Sequence, residues 1–159
     1  MEVKSRHHLR SDEIDEIVET IRETFDVELD GDSFEDVTFD DADERIVLVD
    51  GAPYVVFFGG EPSLTVNGAQ AFPPESRVVT VDAGAVSFVS DGADVMRPGI
   101  VAADDTIEAG DLVAVAEESH QKVLAIGRAQ ADGSTMVGES GKVVESLHHV
   151  GDDLFQFSV

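Results

Sequence analysis

The second half of the sequence is divided into short apolar runs separated by turn-forming residues, and this pattern restricts the possible folds more than any other feature. Runs of three to nine residues are too short for ordinary helices and are typical of β-strands. Asp82 can cap one short helix that reaches Val89 and is closed by Gly92. Such a series of strands around a single helix predicts a small, partly open β-barrel. The predicted strands are Val78–Val81, Ile100–Ala102, Leu112–Ala116, Val123–Ala131, Lys142–Leu147 and Leu154–Phe157.

The first half has a different pattern. Ser11 is a plausible cap for an amphipathic helix that ends near Phe25. Residues 26–44 are acidic, and we expect a short helix and an irregular connection there. Two strands, Arg45–Val49 and Tyr54–Phe58, are joined through Asp50-Gly51, a dipeptide typical of a hairpin. Pro73-Pro74 marks the best boundary, so the sequence predicts two domains, residues 1–76 and 77–159.

The charge of the chain is strongly negative. It has 34 acidic and 10 basic residues, a net charge of −24. The acids are spread through apolar segments, as in proteins of salt-accumulating halophiles, where molar salt screens their repulsion. We favour this interpretation over an acidic surface for a basic partner, so net charge says little about partners. The chain has no cysteine and no run of 18 apolar residues, and the sequence predicts a cytoplasmic monomer without a membrane span.

One basic cluster interrupts this acidity near the N-terminus. Lys4, Arg6 and Arg10 lie within ten residues whose single acid is Glu2. In an acid-rich chain such a cluster is a candidate contact surface for a ribosome or a protein partner. A solvated N-terminus with incidental charge explains it equally well, and the sequence leaves both open.

No catalytic arrangement stands out. The sequence has no glycine-framed nucleophilic serine and no phosphate-binding loop. Adjacent histidines occur at His7-His8 and His148-His149, but neighbouring residues on a strand point to opposite faces, which disfavours a shared metal ion. We therefore expect no catalytic residue, no metal and no cofactor.

The stretch from Gly92 to Ile100 is chemically more informative. Its glycines allow a backbone to approach a ligand closely. Arg97 has a planar fork suited to phosphate, and Met96 offers polarizable surface to a base or ribose. On chemistry alone, a tight turn between helix and strand remains the favoured interpretation.

The stretch from Asp82 to Ile100 also resembles the signature of the PUA domain, an RNA-binding module named for pseudouridine synthase and archaeosine transglycosylase. Further segments resemble the same domain in the same order and together cover nearly all of residues 77–159. These segments are Thr106–Val113, Ala125–Ala129, Gly141–Val144 and His148–Phe155.

The first half contains a basic entry from Lys4 to Ile14, an acidic helix, the Asp50-Gly51 hairpin and Pro62-Ser63-Leu64. With these motifs it resembles the pre-PUA domain of archaeal relatives of the malignant-T-cell-amplified protein family, whose eukaryotic members act in translation with density-regulated protein. The resemblance implies an α+β fold: a small N-terminal α/β pre-PUA domain, then a C-terminal PUA pseudo-barrel of mixed β-strands with one or two short helices. In PUA domains, RNA lies against the helix, the glycine-rich loop and the last strand. Carried onto this chain, the RNA-binding residues are Gly92, Ala93, Asp94, Met96, Arg97, Pro98, Lys142 and His148.

For Lys142 the alternative is a solvated lysine at the start of a strand, and for His148 a hydrogen-bonded core histidine. The resemblance implies a non-enzymatic protein that binds structured RNA (tRNA or small-subunit rRNA), with a possible density-regulated-type partner. The rival functions are an accessory RNA-recognition subunit of an RNA-modification enzyme, and a protein-only adaptor.

Overall fold

The computed structural model describes residues 1–159 and contains two β-sheets and four α-helices. The first sheet is antiparallel and keeps chain order: β1 (Val3–His8), β2 (Phe34–Phe39), β3 (Arg45–Val49), β4 (Ala52–Phe58) and β5 (Glu61–Leu64). The second sheet contains β6 (Val78–Val81), β7 (Val95–Met96), β8 (Ile100–Ala103), β9 (Leu112–Glu117), β10 (Val123–Ala129) and β11 (Lys142–His149). The helices are α1 (Ser11–Phe25), α2 (Val66–Ala71), α3 (Val86–Ser90) and α4 (Asp153–Gln156).

Helix α1 covers the first sheet and confirms the amphipathic pattern of its sequence. Ile17, Ile21 and Phe25 are buried, as their helical spacing predicts. The cap lies one residue earlier than predicted, because Arg10 has an extended backbone whereas Ser11 is already helical.

The predicted hairpin between β3 and β4 is also confirmed. Val49 pairs with Ala52, so Asp50 and Gly51 form a two-residue loop. Their φ angles of 51° and 84° are both positive, as a type I′ turn requires. Aspartate and glycine accept this conformation with little strain, which explains why this dipeptide directs the chain back on itself.

The prediction for residues 26–44 was wrong, because β2 crosses this segment. Asp36 interrupts the apolar pattern, yet it lies within the strand with only 7% of its surface exposed. Arg45 on the neighbouring strand donates a hydrogen bond from Nε to Asp36 Oδ1 at 2.7 Å. This partner lets an acid occupy a buried strand position. Strand β5 and helix α2 lie in residues 61–76, the proline-containing segment for which the pattern predicted only the domain boundary.

The second sheet has the strand order β7-β11-β10-β9-β6-β8 and curves into a pseudo-barrel. Its pairs are antiparallel except for β6 and β9, which run parallel. With α3 and α4 as its short helices, the model confirms the predicted α+β fold class. The predicted strand Leu154–Phe157 was wrong: Asp152 accepts a hydrogen bond from Phe155 N at 2.8 Å and so caps α4.

Strand β9 separates the two larger of the three hydrophobic cores. Leu112, Ala114 and Ala116 face a core that also contains α1 and the first sheet, whereas Val113 and Val115 face the interior of the pseudo-barrel. Side chains alternate across a strand, so one apolar segment fills both cores.

Polar contacts join the same two halves. Arg77 donates hydrogen bonds from Nη1 to the carbonyl oxygens of Glu23 and Thr24 at the end of α1, at 3.2 and 3.0 Å. Arg128 Nη1 donates to Glu61 Oε2 at 2.7 Å. The halves therefore pack as one body, and the domain limits 1–76 and 77–159 stay a prediction. None of the four helices combines the length and the apolar character needed to cross a membrane.

Candidate nucleic-acid interface

A groove of about 350 Å³ opens beside α3, within the segment that the sequence singles out. Two large apolar side chains are exposed there: Phe88 has 66% of its surface accessible and Met96 has 48%. An exposed aromatic next to an exposed methionine is unusual on a soluble surface and indicates a binding site. The groove is lined by Asp82, Gly84, Ala85, Phe88, Val89, Asp94, Val95, Met96, Pro98 and Gly99.

Asp82 fixes the beginning of the helical segment that forms one wall. Its Oδ1 accepts a hydrogen bond from Ala85 N at 3.0 Å, while its backbone N–H donates to Gly99 O at 2.9 Å. The predicted cap is confirmed. Val89 anchors α3 in the core of the pseudo-barrel, which leaves Phe88 on the outer side.

The loop after α3 is shaped by Gly92. Its φ of 93° lies in the region that glycine tolerates, and a Cβ atom there would lie 2.7 Å from Nε2 of His149. The His149 ring is held by Ser90 O and Val150 O, 3.0 and 2.9 Å from Nδ1. Gly92 is therefore needed for both its backbone angle and its lack of a side chain. Ala93 is exposed on the same loop.

Asp94 connects this loop to the last strand. Its Oδ1 accepts a hydrogen bond from Ser146 N at 2.8 Å, and its Oδ2 lies 3.3 Å from Lys142 Nζ. The Ser146 hydrogen bond and, to a smaller extent, Lys142 lower the pKa of the Asp94 carboxyl despite partial burial. The groove thus carries an ionised carboxylate whose neighbouring cation is Lys142, opposite Met96 on the paired strands β11 and β7.

Arg97 does not line the groove. Its Nε donates to Thr135 O at 2.8 Å and its Nη1 to Ser140 O at 3.0 Å. The side chain also lies so close to Gly138 and Gly141 that an added Cβ at either glycine would contact it at about 3 Å. Arg97 therefore holds the loop of residues 133–141 in place, a structural task that the sequence did not predict.

The proposed RNA contact through His148 needs correction, because only 1% of this residue is exposed. Its Nε2 accepts a hydrogen bond from Val66 N, the first N–H of α2, at 3.0 Å. Its Nδ1 lies 2.8 Å from Asp152 Oδ2. His148 is thus the hydrogen-bonded core histidine of the alternative interpretation, and it joins the two halves of the chain. Hydrogen bonds from His148 and from backbone N–H groups lower the pKa of Asp152 against the opposing effect of burial.

Lys4 and Arg6 of the N-terminal cluster lie on β1, an edge strand of the first sheet, and Arg10 precedes α1. Arg6 makes two hydrogen bonds to the carboxylate of Glu35, at 2.8 and 3.1 Å. Arg10 lies 3.1 Å from the carboxylate of Asp12. Lys4 is exposed and pairs with no carboxylate. Two of the three predicted contact residues are therefore already ion-paired within the protein.

Seven of the ten residues that line the groove are absent from the sequence-derived set, and Phe88 and Asp82 are the two whose side chains matter most for binding. Phe88 was detectable, because helical spacing puts Val86 and Val89 on one face and leaves the aromatic residue on another. Asp82 was assigned only a capping role, although it also lines the groove.

Known proteins share this architecture. A family model described as "PUA domain" matches residues 77–151. An uncharacterized protein of Methanocaldococcus jannaschii is 38% identical over 116 residues, which cover 72% of each chain. Translation machinery-associated protein 20 of Saccharomyces cerevisiae is 34% identical over 105 residues, or 62% of this chain and 57% of that protein. The crystal structure of a hypothetical protein from Pyrococcus horikoshii superposes with a TM-score of 0.86 at 30% identity, covering 98% of this chain and 100% of that one.

A malignant T-cell-amplified sequence 1 homolog of Drosophila melanogaster is 29% identical over 117 residues, which cover 69% of this chain and 64% of that protein. The chain belongs to the malignant-T-cell-amplified family of PUA-domain proteins. Its PUA domain contains the whole groove, since every lining residue falls within the matched segment. Strand β1, by contrast, lies outside it.

Proposed function

We propose that this PUA-domain protein is a non-enzymatic RNA-binding protein of translation that acts in the cytoplasm. The RNA is tRNA, the RNA of the small ribosomal subunit, or both. The groove beside α3 is the observation that carries this proposal. The name of the yeast relative, a translation machinery-associated protein, supports the role in translation.

The chemistry of the groove favours an unpaired nucleoside over phosphate. Bases that leave a helix stack on aromatic side chains, and Phe88 is exposed for that purpose. Met96 adds a polarizable apolar surface beside it. Asp82 and Asp94 are carboxylates, and no cation lines the groove. A phosphate would be repelled there, whereas ribose hydroxyls and exocyclic amino groups can donate to these oxygens.

The predicted RNA-binding residues divide into three roles under this proposal. Asp94, Met96 and Pro98 contact the nucleoside directly because they line the groove. Gly92 and Ala93 shape and present the loop. Lys142 and Arg97 bind RNA at the rim, Arg97 through the part of its guanidinium that the carbonyl groups leave free.

We further propose that residues 1–76 and 77–159 are two domains and that the first faces the ribosome or a density-regulated-type partner. Lys4 supports this assignment, since it is a cation without a carboxylate partner on an edge strand. Arg6 and Arg10 would have to exchange their present acidic partners for the new one.

The test is equilibrium binding of Phe88→Ala to a tRNA transcript and to purified small ribosomal subunits. Loss of one base–aromatic stack is worth about 1–3 kcal/mol, so affinity should fall by about 5- to 150-fold. Phe88 is exposed, so the melting temperature should stay unchanged. Phe88→Tyr should bind like the parent, and Val159→Ala, which shortens an exposed apolar residue outside the groove and outside β1, is the control. Parent-like affinity of Phe88→Ala for both RNAs would refute the proposal.

A further inference from the structure

Most cations of this protein are neutralised by its own acids. Of ten lysines and arginines, seven lie within 4 Å of a carboxylate. The remaining three are Lys4, Arg97 and Lys122. Lys4 belongs to the N-terminal cluster, and Arg97 is bound to backbone carbonyl groups. Lys122 is therefore the one unpaired cation that belongs neither to the N-terminal cluster nor to the groove and its rim.

Lys122 lies on an ordered turn between β9 and β10. The carboxylate of Glu117 accepts hydrogen bonds from the backbone N–H groups of Ser119, His120 and Lys122, at 2.8, 2.8 and 3.0 Å. These bonds, the one from Lys122 first, lower the pKa of the Glu117 carboxyl. The negative charge of Glu117 is thus directed into the turn.

The outer side of this turn is exposed. The side chain of His120 is 88% accessible, and Lys122 is exposed beside it. Gln121 between them has a φ of 57°, a left-handed conformation that glycine or asparagine adopts more readily. Glu118 is the exposed acid of the same turn. Lys122 is accordingly presented to solvent by a fixed backbone.

The turn also adjoins the groove. Glu118 N donates a hydrogen bond to Val81 O at 3.0 Å. Asp82, which follows Val81 in the chain, lines the groove. On its other side, His120, Gln121 and Lys122 border a crevice of about 260 Å³ against Gln70 and Pro73 of the first half. An extended strand of RNA that leaves the groove past Asp82 would reach this turn.

We propose that the β9–β10 turn is a second RNA contact, in which Lys122 binds a backbone phosphate of the RNA whose unpaired nucleoside occupies the groove. This inference rests on the function proposed above. The carboxylates that line the groove keep phosphates outside it, and a phosphate next to the bound nucleoside needs a free cation nearby. Lys142, which the proposal above places at the rim, lies beside Asp94 and Met96 rather than beside Asp82. Lys122 is the available cation at the Asp82 end.

The two contacts predict different salt responses, which separates the two proposals. A lysine that neutralises one phosphate steepens the dependence of log affinity on log salt by about 0.7–0.9. The RNA used is the tRNA transcript, or the small subunit if it binds more tightly. Lys122→Ala should weaken its binding and flatten the slope of log affinity against log salt by about 0.7–0.9. Lys122→Arg should restore the slope. Phe88→Ala should lower affinity at every KCl concentration and leave the slope unchanged.

Arg22→Gln is the matched control. It removes one positive charge from an exposed residue that is ion-paired with Glu28 and Glu19, so it changes the net charge equally. Its slope should equal that of the parent.

If Lys122→Ala keeps the parental slope while Phe88→Ala weakens binding, the phosphate contact is refuted and the groove proposal survives. If Lys122→Ala and Arg22→Gln flatten the slope equally, the effect is that of net charge and the contact is likewise refuted. Absence of parental binding to both RNAs refutes both proposals.

Discussion

Strand β1 and the groove beside α3 differ in how much of their binding capacity the protein already uses. The arginines of the N-terminal cluster are held by Glu35 and Asp12, so their charge is largely neutralised. Phe88 and Met96 extend into solvent from a wall whose backbone is anchored on both sides. Both regions are conspicuous in the sequence, but only the second exposes an aromatic side chain, Phe88.

The difference shows which sequence feature indicates a binding site in an acidic protein. With 34 acids for 10 bases, an arginine readily finds an internal carboxylate, and a basic cluster in the sequence does not ensure a basic surface. An exposed aromatic side chain, by contrast, has no partner within the protein that would occupy its binding surface. In this chain, exposed apolar surface is therefore the stronger indication of a binding site.

Replacing His148 should have the largest effect on stability. It tests whether this residue supports the fold of the PUA domain or belongs to its binding surface. His148→Ala leaves Val66 N–H without an acceptor, leaves Asp152 without its histidine and opens a cavity. We expect a loss of about 2–5 kcal/mol in the free energy of unfolding. Thermal or denaturant unfolding measures it, with His8→Ala, an exposed histidine of β1, as the control.

If His148→Ala melted like the parent but lost RNA affinity, His148 would be a binding residue and its buried position would be contradicted. If both halves unfolded in separate steps in the variant, the histidine would be the contact that makes them unfold together. Parental unfolding together with parental RNA affinity would contradict the hydrogen-bonded role that the structure gives it.

Arg97 should give a smaller, mixed effect, since it serves both the scaffold and the groove rim. Arg97→Ala removes two hydrogen bonds to the loop of residues 133–141, and we expect about 1–2 kcal/mol of destabilisation. RNA affinity should also fall. Arg97→Lys keeps the charge but lacks the planar fork, so it should recover part of the affinity without recovering the stability. Parental affinity in Arg97→Ala would remove Arg97 from the RNA contact.

Much of the fold follows from local pattern. The α1 helix, the Asp50-Gly51 hairpin and most strands of the second sheet are predictable, because period, caps and turn residues agree in each of them. The error over residues 26–44 has a long-range cause. Strand β2 contains the buried Asp36, whose charge is tolerated only because Arg45 lies on the neighbouring strand. Such pairing between strands is invisible along a single sequence.

The groove lies within the segment that the sequence singles out, and the RNA-binding role of its residues stays a prediction. Asp94, Met96 and Pro98 line the groove. Their loop is shaped by the positive φ of Gly92 and held by the hydrogen bond from Ser146 N to Asp94. His148 and Arg97 lie elsewhere because their positions depend on distant partners, Val66 for the first and residues 135 and 140 for the second. Strand alternation left the orientation of His148 open, and only the packing of α2 against β11 decides it.

Crosslinking at defined positions tests the central claim most directly. A photoreactive benzophenone analogue of phenylalanine is placed at position 88 in one variant and at position 3, on β1, in another. Each is irradiated with the tRNA transcript and, separately, with small ribosomal subunits, and the crosslinked RNA is sequenced. Our account predicts RNA joined to position 88, at an unpaired nucleotide, and no tRNA joined to position 3. RNA crosslinked from position 3 and none from position 88 would contradict it.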